Sequence, residues 1–345
     1  MTRRGLVRAV LVEDASAQRS QLTAALQEQG SIAVVGCVSA AADVVALVGR
    51  ERPDVVVLDL HLADGGSQRA IEQIMAHTPT PILVLSARIR DRRSPSAVEA
   101  LVAGALEALP RPPHWTSELA TELRRVVGQI STVHVIRHPR GSRTVDAGRK
   151  AVERSVHQPV VAVAASTGGP SALAAILPGL ARLDAPVLVV QHLHPDFIAG
   201  LVDWMSRVSA LPVEMAGHGQ LALPGRVYFA PGEHHLRYAS NGRLELGTTP
   251  VTTHRPSADE LFESVAENAG PAGIGVLLTG MGDDGARGLL AIHQHGGQTL
   301  AQDEASSPVF GMPKAAARMG AVTDLLPIDK LADAVQRAVR EVVSR

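Results

Sequence analysis

Residues 160–165, Val-Val-Ala-Val-Ala-Ala, are an apolar run of strand length that stops on Ser166-Thr167-Gly168-Gly169-Pro170. Such a run reads as a buried strand. The small residues after it read as a sharp turn, with Pro170 suited to the first turn of a helix over 171–180. The pattern recurs in Pro186-Val-Leu-Val-Val-Gln191-His192 and in Gly273-Ile-Gly-Val-Leu-Leu-Thr279-Gly-Met281-Gly-Asp283-Asp284-Gly285. Short strands without polar alternation, separated by helical stretches, predict a parallel α/β sheet buried on both faces, in which the loops beyond the carboxyl ends share one edge.

That edge collects a serine, a histidine and an aspartate. Ser166 can attack a carbonyl, His192 can take its proton and return it to the leaving group, and an aspartate can hold the imidazole in the useful tautomer. Spacing does not choose between Asp283 and Asp284. The backbone N–H groups of Thr167 and Met281 are the candidates for receiving the developing oxyanion. Each residue also has a plainer reading. Ser166 can sit in a phosphate-binding turn or cap a helix. His192 with His194, and His234 with His235, are spaced closely enough to suggest a metal. No carboxylate or cysteine accompanies them at a recurrent ligand spacing, so catalysis is expected to need no cofactor.

The amino-terminal third repeats the pattern with different chemistry. Strands are expected over Leu6–Val12, ending at Glu13-Asp14; over Val55–Leu58, ending at Asp59; over Ile82–Leu85, ending at Ser86; and near 106–109, before Pro110-Arg111-Pro112. Acidic residues, a hydroxyl and a cation at one edge suit Mg²⁺-assisted phosphoryl transfer to a carboxylate. The alternative is a doubly wound domain with a solvated acidic rim. A cap at Thr116 and helical apolar spacing continue to Ile130. Residues 131–158 then carry Arg137, Arg140, Arg143, Arg149, Lys150 and Arg154 among scattered glycine and proline, a composition for a solvated linker.

Length supports this division into 1–130, 131–158 and 159–345. The chain has 345 residues, 46% of them hydrophobic and only 2% aromatic, so two cores must be built from Val, Leu, Ile and Ala. With a net charge of −1 and no aromatic residues interleaved with the basic ones, nucleic acid is not an expected partner. Cys37 is the single cysteine, which excludes a disulfide within the chain. The apolar stretch after Arg3-Arg4 is broken by Arg8 and ended by Glu13-Asp14, and no run approaches the roughly 18 apolar residues of a membrane span. A cytoplasmic protein without membrane insertion is expected. Further strands are expected over 226–230 and 298–301, and an amphipathic helix over 331–343.

Six strings occur in order: Ala-Ser166-Thr-Gly-Gly, Val-Val-Gln-His192, Ala230-Pro-Gly-Glu-His-His-Leu, His254-Arg-Pro-Ser, Leu-Thr-Gly-Met281-Gly-Asp-Asp284-Gly, and Gln302-Asp-Glu-Ala-Ser-Ser-Pro-Val-Phe-Gly-Met312-Pro. From about residue 158 to the end, the chain resembles the catalytic domain of the chemotaxis methylesterase family CheB. The resemblance implies a three-layer α/β domain and hydrolysis of glutamate γ-methyl esters on chemoreceptors, with deamidation of receptor glutamines in many members. It favours Asp284 over Asp283, and it places His235 and Arg255 in strings that either line the cleft or support the fold. Ser307 stands where many relatives carry cysteine.

Residues 6 to about 130 resemble a response-regulator receiver of flavodoxin-like fold. That match implies Asp59 as phosphoacceptor, Glu13 and Asp14 as the acidic pair that with Asp59 holds Mg²⁺ in an active receiver, Ser86 as the switch hydroxyl and a chemotaxis histidine kinase as phosphodonor. Arg111 replaces the usual lysine, Ala63 a usual proline and Ala108 a usual aromatic. Taken together, the resemblances imply two doubly wound parallel-sheet domains in which the unmodified receiver covers the catalytic face until Asp59 is phosphorylated. A constitutive esterase and a non-catalytic docking protein with a degenerate receiver are the competing expectations.

Overall fold

The computed structural model describes residues 6–63, 65–86, 95–133, 135 and 158–344. The chain divides into two units, Met1–Pro139 and Arg140–Arg345, each with its own parallel sheet. The six basic residues of the 131–158 segment lie outside the described residues.

The first unit runs β1 (Val7–Val12), α1 (Ser16–Gln27), β2 (Ile32–Val38), α2 (Ala41–Glu51), β3 (Val55–Asp59), α3 (Ser67–His77), β4 (Ile82–Ser86), α4 (Pro95–Ala103), β5 (Glu107–Pro110) and α5 (Ser117–Ile130). Its strand order is β2-β1-β3-β4-β5, and every pair is parallel. The order reverses between β1 and β3, which brings Glu13 and Asp59 to the switch point where α/β sheets bind ligands. Aliphatic side chains fill the interior: Leu11, Val57 and Leu85 of the sheet pack with Leu26, Leu123 and Val127. The Thr116 side chain accepts the Leu119 N–H and caps α5, as its sequence predicts.

The second unit runs β6 (Val160–Ala165), α6 (Gly169–Ile176), β7 (Val187–Gln191), α7 (Pro195–Val208), β8 (Val213–Met215), β9 (Val227–Phe229), β10 (His235–Tyr238), β11 (Leu244–Gly247), α8 (Ala258–Ala269), β12 (Gly273–Leu277), α9 (Ala286–Gln294), β13 (Gln298–Gln302), α10 (Met312–Arg318), β14 (Asp324–Leu326) and α11 (Ile328–Ser344). Seven parallel strands lie in the order β14-β13-β12-β6-β7-β9-β8, and β10 with β11 forms a separate antiparallel hairpin. Val160, Ala162 and Ala164 of β6 share a core with Leu261 and Phe262 of α8 and Leu289 of α9. Because side chains alternate along a strand, the intervening Val161, Val163 and Ala165 face the opposite layer, and they are equally buried.

Two helix boundaries differ from the sequence reading. The helix expected over 171–180 is α6 from Gly169 to Ile176, followed by a 3₁₀ turn over Leu177–Leu180. Gly168, with φ 77°, turns the chain so tightly that the helix opens before Pro170. Pro178 has no N–H to continue the α ladder, so the last turn tightens. The terminal helix also starts earlier than expected, at Ile328. Among the described residues, no helix is long and apolar enough to cross a membrane.

Candidate active site

Strands β6 and β7 end in register, with Ala165 paired to Gln191, so Ser166 and His192 are the next residues on two neighbouring strands about 5 Å apart. The His192 N–H donates to the Ala165 carbonyl (2.9 Å), and the Ser166 N–H donates to the carbonyl of Thr279 (3.0 Å), just beyond β12. Gln191, buried beneath them, donates from Nε2 to the carbonyls of both Ser166 and His192, each at 2.9 Å. One amide thus ties the serine and histidine backbones together. Thr279 Oγ1 accepts the Val309 N–H (2.9 Å) and reaches the Thr167 carbonyl (3.0 Å), which joins the third loop to the first.

These loops approach too closely for larger residues. A Cβ on Gly280 would come within 2.1 Å of Met312 Sδ and 2.7 Å of Ser166 Cβ, and a Cβ on Gly169 within 2.1 Å of Gln191 Oε1. The glycines in the Ser-Thr-Gly-Gly and Thr-Gly-Met-Gly strings therefore make room for the serine turn.

Asp284 lies beside His192, with Oδ2 2.9 Å from Nε2. The two atoms are in close contact, but their alignment falls short of a hydrogen bond. Asp284 is held from the other side by the start of α8. Ser257 Oγ donates to Oδ1 (2.9 Å), the Ala258 N–H to Oδ2 (2.8 Å) and the Asp259 N–H to Oδ1 (3.0 Å). Burial penalises the charged carboxylate, but His192 and the α8 N–H groups outweigh it and hold the Asp284 carboxyl well below the usual carboxylate range. The neighbouring Asp283 is exposed. The arrangement is reciprocal: Asp259 Oδ1 accepts the Gly285 and Gly288 N–H groups at 2.9 Å and so caps α9, while Asp284 caps α8.

His192 Nδ1 has no hydrogen-bond partner among the described residues, so it makes no hydrogen bond to the Ser166 hydroxyl. The Thr167 and Met281 N–H groups donate to no backbone or side-chain acceptor among the described residues. The expected serine, histidine, aspartate and two N–H donors therefore gather at one sheet edge. The other histidines do not join them as a metal group. His194 Nδ1 accepts the Asp196 N–H at the start of α7, His234 lies exposed with Nδ1 3.2 Å from the Gly232 carbonyl, and His235 is fully buried. No group of three His, Cys, Asp or Glu suited to a metal occurs among the described residues.

Sequence reasoning did not find Ser257, Gln191 or Thr279 as parts of this site. The spacing Ser257-x-x-Glu260 before an apolar run is a helix-start signature that could have located the N–H donors facing Asp284. Nothing in the local pattern marks Gln191 or Thr279.

In the first unit, Asp59 and Glu13 are almost wholly buried at the switch point, and the Arg111 guanidinium bridges them. Nη1 lies 2.9 Å from Glu13 Oε2 and also donates to Asp59 Oδ2. Asp59 Oδ1 accepts the His61 N–H at 3.0 Å. Burial first, then the charge of Asp59, pushes the Glu13 carboxyl up, against the pull of the Ala15 N–H and of Arg111. Asp14 turns aside and accepts the Ala63 N–H (2.8 Å). The Ser86 side chain lies outside the described residues. Of the three carboxylates expected to hold Mg²⁺, Glu13 and Asp59 converge on one point, taken by the Arg111 guanidinium, and Asp14 accepts a loop N–H.

Residues 161–335 match the CheB methylesterase family, and residues 9–123 match the response regulator receiver domain. The chain is 42% identical over 337 residues to protein-glutamate methylesterase/protein-glutamine glutaminase 2 of Anaeromyxobacter dehalogenans, covering 96% of each chain. It is also 42% identical over 294 residues to protein-glutamate methylesterase FrzG of Myxococcus xanthus, covering 85% of this chain and 86% of that one. A crystal structure of the Thermotoga maritima CheB methylesterase catalytic domain superposes with a TM-score of 0.51 at 36% identity, covering 53% of this chain and 99% of that domain. With its serine, histidine and aspartate gathered on such a domain and a receiver ahead of it, the chain belongs to the CheB methylesterase family.

Proposed function

We propose that this protein hydrolyses glutamate γ-methyl esters on chemoreceptors to glutamate and methanol, and deamidates receptor glutamines by the same steps, in the cytoplasm. The observation that carries the reading is the His192–Asp284 contact beside Ser166, at a strand edge where two N–H groups stand without acceptors.

Ser166 Oγ attacks the ester carbonyl while its proton passes to His192. Because Nε2 faces Asp284, Nδ1 is the nitrogen available to take it. The ionised Asp284 stabilises the resulting imidazolium without itself taking the proton. Thr167 and Met281 N–H groups receive the oxyanion, each a donor whose loss typically costs about 100- to 1,000-fold in rate. Collapse of the tetrahedral species breaks the C–O bond, and methanol leaves with the proton from His192. Water, deprotonated by the same nitrogen, then releases glutamate from the acyl-serine. A glutamine side chain follows the same course with ammonia as leaving group.

The receiver supplies regulation in this proposal. A chemotaxis histidine kinase transfers a phosphoryl group to Asp59, which Arg111 already contacts, and esterase activity rises. A complete change from 1:99 to 99:1 between two states needs about 5.5 kcal/mol of differential stabilisation.

The test is methanol release from methylated receptor by the full-length chain. Ser166→Ala is expected to abolish it, and a small phosphodonor is expected to raise it in wild type but not in Asp59→Asn. Full activity in Ser166→Ala removes the nucleophile. No response of wild type to the phosphodonor removes the gating and leaves a constitutive esterase.

A further inference from the structure

His254 stands over the face of the His192 imidazole, with ring centroids 4.5 Å apart and planes inclined by 13°. The catalytic reading gives His254 no task, yet His192 needs such a neighbour. Its Nε2 meets only Asp284, through a contact that is not well aligned, and its Nδ1 has no partner among the described residues. Torsion about the bond to an aromatic ring is broad, so one misaligned contact leaves the ring plane poorly defined. A base whose nitrogen must meet the Ser166 proton gains little from proximity unless that plane is fixed.

The segment carrying His254 is itself fastened. His235, fully buried, accepts the Ser257 N–H at Nδ1 (3.2 Å), and its Nε2 lies 2.9 Å from the Pro250 carbonyl. With Nδ1 accepting, Nε2 carries the proton and donates it to that carbonyl. The one ring therefore pins both ends of residues 250–257. Within the span, Thr252 Oγ1 donates to the His254 carbonyl, and Arg255 Nη1 reaches out of it to donate to the Thr248 carbonyl (3.2 Å). The same segment ends in Ser257, whose hydroxyl holds Asp284. One clamped loop thus reaches the histidine by its face and the aspartate by its carboxylate.

We infer that His254 is a positioning residue that fixes the plane of the His192 imidazole by stacking, so that Nδ1 faces the Ser166 hydroxyl. The inference rests on the reading of Ser166 and His192 as nucleophile and base. The stacking face is what matters, so another flat ring at this position serves.

The experiment measures kcat and KM for methanol release in full-length wild type, His254→Ala, His254→Phe and Ser166→Ala, with thermal unfolding of each as a check on the fold. His254→Ala is expected to lower kcat about 5- to 10-fold with KM within about 2-fold of wild type, a loss on the scale of one aromatic pair. His254→Phe is expected to recover most of that loss. Wild-type kcat in His254→Ala overturns the inference, as does a Phe variant no better than Ala, or a rise in KM alone, which marks substrate contact. Because His254 is exposed, unfolding temperatures are expected to be unchanged. Hydrolysis surviving in Ser166→Ala defeats the catalytic reading itself, whereas a silent Ser166→Ala beside a fully active His254→Ala defeats only the stacking role.

Discussion

Two sheet edges in this molecule gather buried carboxylates, and they hold them by different means. At the esterase edge, Asp284 is gripped by the Ser257 hydroxyl and the first N–H groups of α8, donors fixed by the fold. At the receiver edge, Asp59 and Glu13 share one long side chain, Arg111, supplemented by the N–H groups of His61 and Ala15. Backbone donors at a helix start cost no reorganisation when charge develops nearby, which suits a catalytic group. A guanidinium on a flexible stem can be drawn elsewhere by a new anion, which suits a group that changes its charge.

The largest expected effect breaks the first arrangement. Asp284→Asn keeps the size of the side chain but removes the charge that, in the proposed mechanism, stabilises the His192 imidazolium, and kcat for methanol release is expected to fall by about 10³- to 10⁴-fold. Steady-state kinetics check it. The same variant tests the electrostatics of folding. A carboxyl held below its ordinary value contributes stability that is present above that value and lost as pH falls through the lowered one. The variant is therefore expected to be less stable than wild type at pH 7, with the gap narrowing on acidification, as read by denaturant melts.

Arg111→Ala breaks the second arrangement. It leaves two carboxylates buried side by side without their shared cation, at a cost to the receiver unit of roughly 3 kcal/mol, the scale of a broken buried ion pair. Denaturant unfolding followed at Trp115, which lines the small cavity beside Glu13 and Arg111, reads this directly. Basal esterase activity within a few-fold of wild type would sharpen the contrast, because the loss would then be confined to the receiver.

Glu13→Gln is the smallest change. The Glu13 carboxyl is raised, so the folded receiver keeps its proton while the unfolded chain has already lost it, and wild-type stability declines as pH rises from the ordinary carboxylate value through the raised one. The amide removes that source of decline. The decline between the ordinary and the raised value is expected to be weaker in the variant than in wild type, and melts at pH 4 and pH 8 check it.

Much of this was already written in the order of residues. Apolar runs without alternation, cut short by Ser166, His192, Glu13-Asp14 and Asp59, marked parallel strands and their carboxyl edges, because strand burial on both faces demands that composition. The same runs could not tell Asp283 from Asp284. Adjacent residues in a loop differ only in direction, and that direction is set by α8, which begins more than twenty residues earlier in the chain.

What tertiary structure alone decided is who meets whom across the loops. Gln191 bridging two backbones, Thr279 joining a third, His254 stacked on His192 and Arg111 between Glu13 and Asp59 each join partners that lie on different loops once folded. Local pattern records which face a side chain takes and where a strand stops, since these follow from backbone geometry over a few residues. Pairings between loops follow from strand order in the sheet, which local pattern does not encode. Here that order sets β6 between β7 and β12, and the site is the consequence.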